Sequence, residues 1–372
     1  MNSTKPRLIA EDDARKWCRT VPGMRTRKKI YAFVAAGIAL FVLPNIVAGT
    51  LAPGQTRPDV VFSDYGTLAS NLELTRRLLS PLTAALLNRE LLRSGRNLAS
   101  QAVNLAAERF LLYVPSERPA RGYGLLVFVP PWDDARLPQG WGSVLDRSGV
   151  IYISAARSGN KESVLGRREP LALLAAENAI RQYPVDPDRV YIAGFSGGSH
   201  VALRLVLGYP DLFRGAILNA GSDPIGSADV PLPPKDLFLK FQSSVHLIYV
   251  TGDRDEAHAS EDLMSVRSMH HWCVFNVESF LEHGLDHEVA TAAALLRSLG
   301  ALTSSSLPDP VKLSACRSSL DAAVRGDLQG VESLVSTGQM SRAQKRLKSM
   351  DERFGGLAAP GTVDLASKLL RP

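Results

Sequence analysis

RVYIAGFSGGSHVALRL, residues 189–205, sets one serine among glycines between two apolar patterns. RVYIAGF has the β-branched and aromatic content of a buried strand, and GSHVALRLVLGYP repeats apolar residues at helical spacing. The turn between them, Gly194-Phe195-Ser196-Gly197-Gly198, fits G-x-S-x-G. Gly194 and Gly198 remove side chains that would collide as the chain reverses, so Ser196 can hold a strained backbone with its hydroxyl exposed. The turn also carries the N–H of Gly197 to the positive end of the following helix, beneath a bound carbonyl. Small residues coincide by chance in many chains; the strand-turn-helix setting gives this pentapeptide its weight. Without chemistry it would be a glycine-rich turn, and a phosphate-binding loop is disfavoured because no Lys follows.

Outward from the turn, strand-like runs occur at 109–115, 123–131, 149–155, 215–221, 245–252 and 273–279. Helical patterns at 170–184 and 287–302 fall between or after them. Strands apolar on both faces, alternating with helices, predict an α/β fold with a mainly parallel sheet covered by helices on both faces, over residues 95–302. Residues 53–94 read as a linker, with Pro53, Gly54 and Pro58, followed by a helical lead-in interrupted at Pro81. Residues 303–372 read as a linker and a small C-terminal helical appendage packed on the main domain, with a protein partner as the rival role.

A serine alcohol needs a base to take its proton. His200 lies one turn along the helix that Ser196 starts, so it cannot swing back. On the fold that carries such a G-x-S-x-G elbow, the acid follows the serine and the histidine follows the acid. The run YVTGDRDEAH (249–258) supplies the acid, with Asp255 preferred over Asp253 because a few loop residues are needed to turn the carboxylate. His258 then stands too near Asp255 in sequence to face it easily. The loop in ESFLEHGLDHE offers His287, directly before the last helix, with His283 as the alternate. Helix capping is the bland role for His287.

At these residues the chain resembles the α/β-hydrolase superfamily. DPDRVYIAGFSGGSHVALRLVLGYPDLFRGAILNAGS looks like the serine esterase and polyhydroxyalkanoate-depolymerase-like branch, where a D-x-x-R-V-Y run leads into the elbow. The resemblance implies an acyl-serine intermediate: Ser196 attacks a carbonyl, His287 shuttles the proton and Asp255 holds the imidazole. Such enzymes carry His-Gly at the strand end that gives the second oxyanion donor; here Pro130-Pro131 stands there, and proline has no N–H. Trp132 is the next residue able to donate, so the oxyanion hole is assigned to Gly197 and Trp132. No cofactor is called for. A serine acyltransferase or peptidase would use the same triad, and the proline pair leaves room for a binding protein with the fold but no activity.

Phe195 and Trp141 are candidates to line a substrate pocket, and Pro-rich 222–244 to roof it. Arg157, Lys161, Arg167 and Arg168 crowd the loop after one strand, either for an anionic substrate or as a solvated basic loop.

The net charge of +6 belongs to a tail: nine basic and three acidic residues fall in 1–29. A nucleic-acid-binding body is therefore excluded, since its basic excess would sit on the folded surface. No charge occurs from Ile30 to Thr56, and Ile30–Ala52 is long and apolar enough to cross a bilayer. Basic residues on its N-terminal side predict a single-pass signal-anchor with the tail cytoplasmic and the domain extracytoplasmic, periplasmic in a Gram-negative cell. The alternative is export after signal cleavage near Val47-Ala48-Gly49. Outside the cytoplasm Cys273 and Cys316 form either a bridge or two buried thiols, while Cys18 stays reduced. No CxxC or Cys/His spacing suggests zinc.

Overall fold

The computed structural model describes residues 54–95, 98, 101, 103–304 and 308–369. The basic tail 1–29, the apolar run 30–52 and Cys18 lie outside the described residues. Among the described residues no helix is long and apolar enough to cross a membrane.

The centre is one sheet of eight strands: β1 (Gln55–Val60), β2 (Phe110–Val114), β3 (Tyr123–Val129), β4 (Val150–Ala155), β5 (Val185–Phe195), β6 (Gly215–Asn219), β7 (His246–Gly252) and β8 (Val277–Glu282). Their spatial order is β1-β2-β4-β3-β5-β6-β7-β8. β1 and β2 run antiparallel to their neighbours, and every pairing from β4 through β8 is parallel. This is the mainly parallel α/β sheet that the alternation of patterns predicts.

The period-two alternation of each strand sorts its side chains onto two buried faces. Leu125, Val127 and Val129 join a core with Ile151, Ile192 and Leu218, while Leu126 and Phe128 join another with Tyr152, Ile217 and Ile248. The second face is closed by α3 (Trp141–Ser148) and α8 (Ala292–Ser304). The first is closed chiefly by α4 (Glu169–Gln182), α5 (Gly197–Gly208) and α6 (Lys235–Ser244), with α1 (Asn71–Leu78) and α2 (Pro81–Arg93) packed beyond them. Ser80 caps α2 and Pro81 follows it, so the chain breaks between α1 and α2 where proline forbids a continuous helix.

Two readings are corrected. Residues 55–60, expected within a linker, form edge strand β1 on β2. The last strand begins at Val277, because α7 (Glu256–His271) ends in a turn that places Cys273 at positive φ and uses its N–H on the carbonyl of His270. The apolar run 273–275 is thus a helix exit.

The C-terminal segment folds into α9 (Pro310–Ser336), α10 (Met340–Phe354) and α11 (Gly361–Leu369) around a small core of Val331, Leu347 and Leu365. It is fastened to the sheet domain at several points. Cys316 of α9 is disulfide-bonded to Cys273, 43 residues away. Arg317 donates to Gln242 Oε1 and to the carbonyl of Leu239 on α6. Buried Asp351 accepts from the hydroxyl of Ser80 and from the N–H of Leu82.

Candidate active site

The elbow is built by backbone crowding. Ser196 has φ 52° and ψ −128°, a conformation that L-residues rarely hold. A Cβ on Gly194 would lie 2.1 Å from the carbonyl oxygen of Gly198, so the turn closes only over a glycine. Ser196 N–H donates to the carbonyl of Asn219 at 2.8 Å, which ties the turn to the end of β6.

The acid and the base come from the two neighbouring strand ends. After β7, Asp255 stands immediately before α7, with its carboxylate free of any capping bond to that helix. After β8, residues 283–291 loop back over that turn, and Arg254 N–H donates to the carbonyl of Leu285. A Cβ on Gly252 would sit 2.3 Å from that same carbonyl oxygen, so glycine permits the two loops to touch. The contact brings three predicted residues together. His287 Nε2 lies 3.0 Å from Ser196 Oγ, and His287 Nδ1 lies 2.7 Å from Asp255 Oδ2. With Nδ1–H donating to the carboxylate, Nε2 keeps a lone pair for the serine hydroxyl, the tautomer a general base requires.

Burial would raise the Asp255 carboxyl, but hydrogen bonds from His258 and His287 outweigh it and hold the group below the ordinary carboxylate range. His258 was expected not to reach. It does: Asp255 precedes the first turn of α7, and the i,i+3 spacing sets His258 Nδ1 2.7 Å from Asp255 Oδ1. Its ring stacks on that of His287, with centroids 4.1 Å apart and planes 18° from parallel. Asp255, His258 and His287 offer one ligand atom each within 4.8 Å. Near-parallel rings, however, aim their nitrogens at separate carboxylate oxygens rather than at one ion.

The alternates Asp253 and His283 pair with each other, Nδ1 to Oδ2 at 2.6 Å. Phe195 packs its ring 4.9 Å from His287 and 6.0 Å from Trp132. Trp132 lies in the corner after β3, whose Pro131 carbonyl accepts from Asn160 N–H at 3.0 Å. The Asn160 side chain in turn rests on Gly197, where a Cβ would meet its Oδ1 at 2.2 Å. The corner is therefore seated against the elbow.

Three substrate-binding expectations need correction. Trp141 is buried in the core, its indole N–H on the carbonyl of Ala290, because the start of α3 packs into the aromatic cluster of Phe128 and Tyr152. Arg157 and Arg167 both bind Glu108, and Arg167 does so through two nitrogens. Arg167 also faces Glu162, so both guanidiniums are engaged by protein carboxylates.

Two positioning residues carried no clear sequence signal. Buried Arg168 donates to the carbonyls of Pro130 and Ser158, fixing the proline corner; burial pushes its guanidinium down to about 10. Buried Asn219 donates to the carbonyl of Val250 and accepts from Ala290 N–H, linking the ends of β6 and β7 to the loop that bears His287. Asn219 is the one polar residue ending GAILN, and that was its only hint.

A cavity of about 210 Å³ opens beside Gly197, with Val201, Leu78, Leu79, Val164 and Leu165 among its apolar walls. Segment 222–244 contributes Asp223, Ala228, Asp229 and Pro231 to the lining. His200, also in the wall, is paired with Asp223 at 2.7 Å.

No protein-family profile matches the chain. Over 58 residues it is 43% identical to a protein described as "Putative esterase NocK" from Nocardia uniformis subsp. tsuyamanensis; the match covers 14% of this chain and 17% of that protein's length. Solved structures resembling part of it include an esterase from Pyrobaculum calidifontis (TM-score 0.39, 13% identity, 53% of this chain and 79% of that one). The S-formylglutathione hydrolase FrmB of Staphylococcus aureus gives TM-score 0.41 and 12% identity, over 53% of this chain and 91% of that one. Dipeptidyl peptidase 4 of Porphyromonas gingivalis gives TM-score 0.39 and 15% identity, over 54% and 34%.

Proposed function

We propose that the protein is a serine hydrolase that cleaves carboxylic esters through an acyl-serine intermediate. The supporting observation is the chain of contacts from Ser196 Oγ to His287 Nε2 and from His287 Nδ1 to Asp255. Ser196 Oγ attacks the ester carbonyl as its proton passes to Nε2. The N–H groups of Gly197 and Trp132 receive the oxyanion. Collapse breaks the C–O bond, and the leaving alkoxide takes the proton from Nε2. Water then repeats the sequence, releasing the acid and free Ser196. Within esterases, the D-x-x-R-V-Y run keeps the polyhydroxyalkanoate-depolymerase-like branch as the expected subgroup.

The cavity beside Gly197 suits an apolar acyl group. A p-nitrophenyl ester series should show an optimum chain length, and Val201→Phe should shift it shorter. A fluorophosphonate probe should label the full-length parent and not Ser196→Ala. Labelling of neither, or equal labelling of both, would overturn the reading. Turnover of peptides or acyl transfer to an added alcohol without ester hydrolysis would move the assignment to the peptidase or acyltransferase alternative.

We further propose that Ile30–Ala52 tethers this domain outside the cytoplasm. The charge asymmetry supports it, and so does the Cys273–Cys316 disulfide, since such bonds persist in oxidising compartments. A periplasm-dependent reporter enzyme fused after Pro372 should be active only on the outer side; activity inside the cytoplasm would reverse the topology.

A further inference from the structure

Asp255 has two imidazole partners, where the proposed reaction needs one. His258 Nδ1 sits 2.7 Å from Oδ1, His287 Nδ1 sits 2.7 Å from Oδ2, and the two rings are stacked. We infer that His258 is a positioning residue of the proposed hydrolase: it fixes the second oxygen of Asp255 and the plane of His287. The inference rests on the serine hydrolase reading.

The reason lies in how each oxygen is held. A carboxylate gripped at one oxygen can rotate about its Cβ–Cγ bond; gripped at both, it cannot. Asp255 and His258 stand on one helical turn, so the second grip is rigid. The stacked ring also restricts tilting of His287, which Phe195 touches as well. General-base catalysis depends on that alignment.

During acylation His287 becomes an imidazolium, and the grip of His258 on the other carboxylate oxygen keeps Asp255 aimed at it.

The test uses the full-length protein with His258→Gln and His258→Ala. The Gln amide can still donate to Oδ1 but does not titrate. Expected for His258→Ala is a kcat lower by about ten- to a hundredfold, a share of the ~10²–10⁴-fold that a positioned base supplies, with KM within about twofold. Gln should recover most of it. Proton NMR of the parent should show one low-field imidazole N–H signal that either His258 variant loses and another that His287→Ala loses, apart from those of the His200–Asp223 and His283–Asp253 pairs. An unchanged kcat in His258→Ala, or loss of thermal stability alone, would overturn the inference. If the parent neither labels with fluorophosphonate nor turns over esters, the hydrolase reading has failed. The signals lost in His258→Ala and in His287→Ala would then still decide whether Asp255 holds both rings.

Discussion

Two Asp–His pairs bridge the same two loops, and they differ in nearly everything except the hydrogen bond. Asp253 and His283 meet at 2.6 Å; Asp255 and His287 meet at 2.7 Å. The His283 side chain is 99% exposed, so its pair is a surface contact whose ends are free to exchange with water. Asp255 is 6% exposed, and His287 also touches Ser196, Phe195 and His258. The acid–imidazole contact is thus no mark of a site by itself. What distinguishes the inner pair is a third partner and walls that fix the ring.

The sharpest way to break that contrast is to treat both pairs alike. Asp255→Asn should lower kcat by about 10⁴-fold, because an amide in that place favours the wrong His287 tautomer. His287→Ala should cost at least as much. Asp253→Asn and His283→Ala should leave ester turnover within about twofold and thermal stability nearly unchanged, as surface substitutions do. Steady-state kinetics of the four variants decides it; a large loss in the outer pair would exchange their roles.

A second contrast lies in adjacent arginines. Arg167 spends its charge on Glu108, while Arg168 turns inward to the carbonyls of Pro130 and Ser158. Methionine fills similar volume without the donors. Arg168→Met should therefore release the proline corner and lower kcat about 10²-fold, the scale of one lost oxyanion donor, with little change in KM. Arg167→Met should fall within a fewfold of the parent. Equal losses in both would mean the corner is held by something other than Arg168.

How much of this was legible follows from which interactions are local. The elbow at Ser196, the parallel sheet and the order serine, acid, histidine all leave marks in short windows: glycine spacing, apolar runs, turn residues. Asp255 over Asp253 and His287 over His283 were preferred on loop reach, and the geometry gathers the preferred set. Trp141 misled because an indole reads the same in a pocket and in a core. Arg157 and Arg167 misled because their partner, Glu108, is far away in sequence. His258 was discounted for closeness in the chain, although i,i+3 spacing at a helix start is what joins it to Asp255. Arg168 and Asn219 act on backbone carbonyls of distant loops, and no local pattern encodes that. Edge strand β1 carries Pro58, which reads as linker and is tolerated at an edge.

The smallest effect concerns two acids on either side of one helical stretch. Asp255 and Asp262 are both 6% exposed, yet their carboxyls move in opposite directions. Asp255 is held low against its burial by two imidazoles; Asp262 is pushed up to about 7, chiefly by burial, with the hydroxyl of Thr251 as a neutral partner. Both carboxyls are covered, but Asp262 lies deeper in the packed chain with one hydroxyl as partner while Asp255 lies nearer the surface with two imidazoles, and depth and partners together give opposite pH dependence. Asp262 keeps its proton in the folded chain where the unfolded chain has lost it. Its contribution to stability is complete below about pH 4 and is lost as pH rises toward 7. Asp255 works the other way: its contribution is present above the unfolded carboxylate pKa and is lost as pH falls through the lower folded value. Urea unfolding across pH 4–8 should show Asp262→Asn flattening the decline, gaining on the order of 1–2 kcal/mol over the parent at pH 8. Asp255→Asn should leave that decline in place and weaken stability most at neutral pH. A parallel shift of both variants at every pH would show that the partners of these carboxyls, and not only their burial, fail to set the difference.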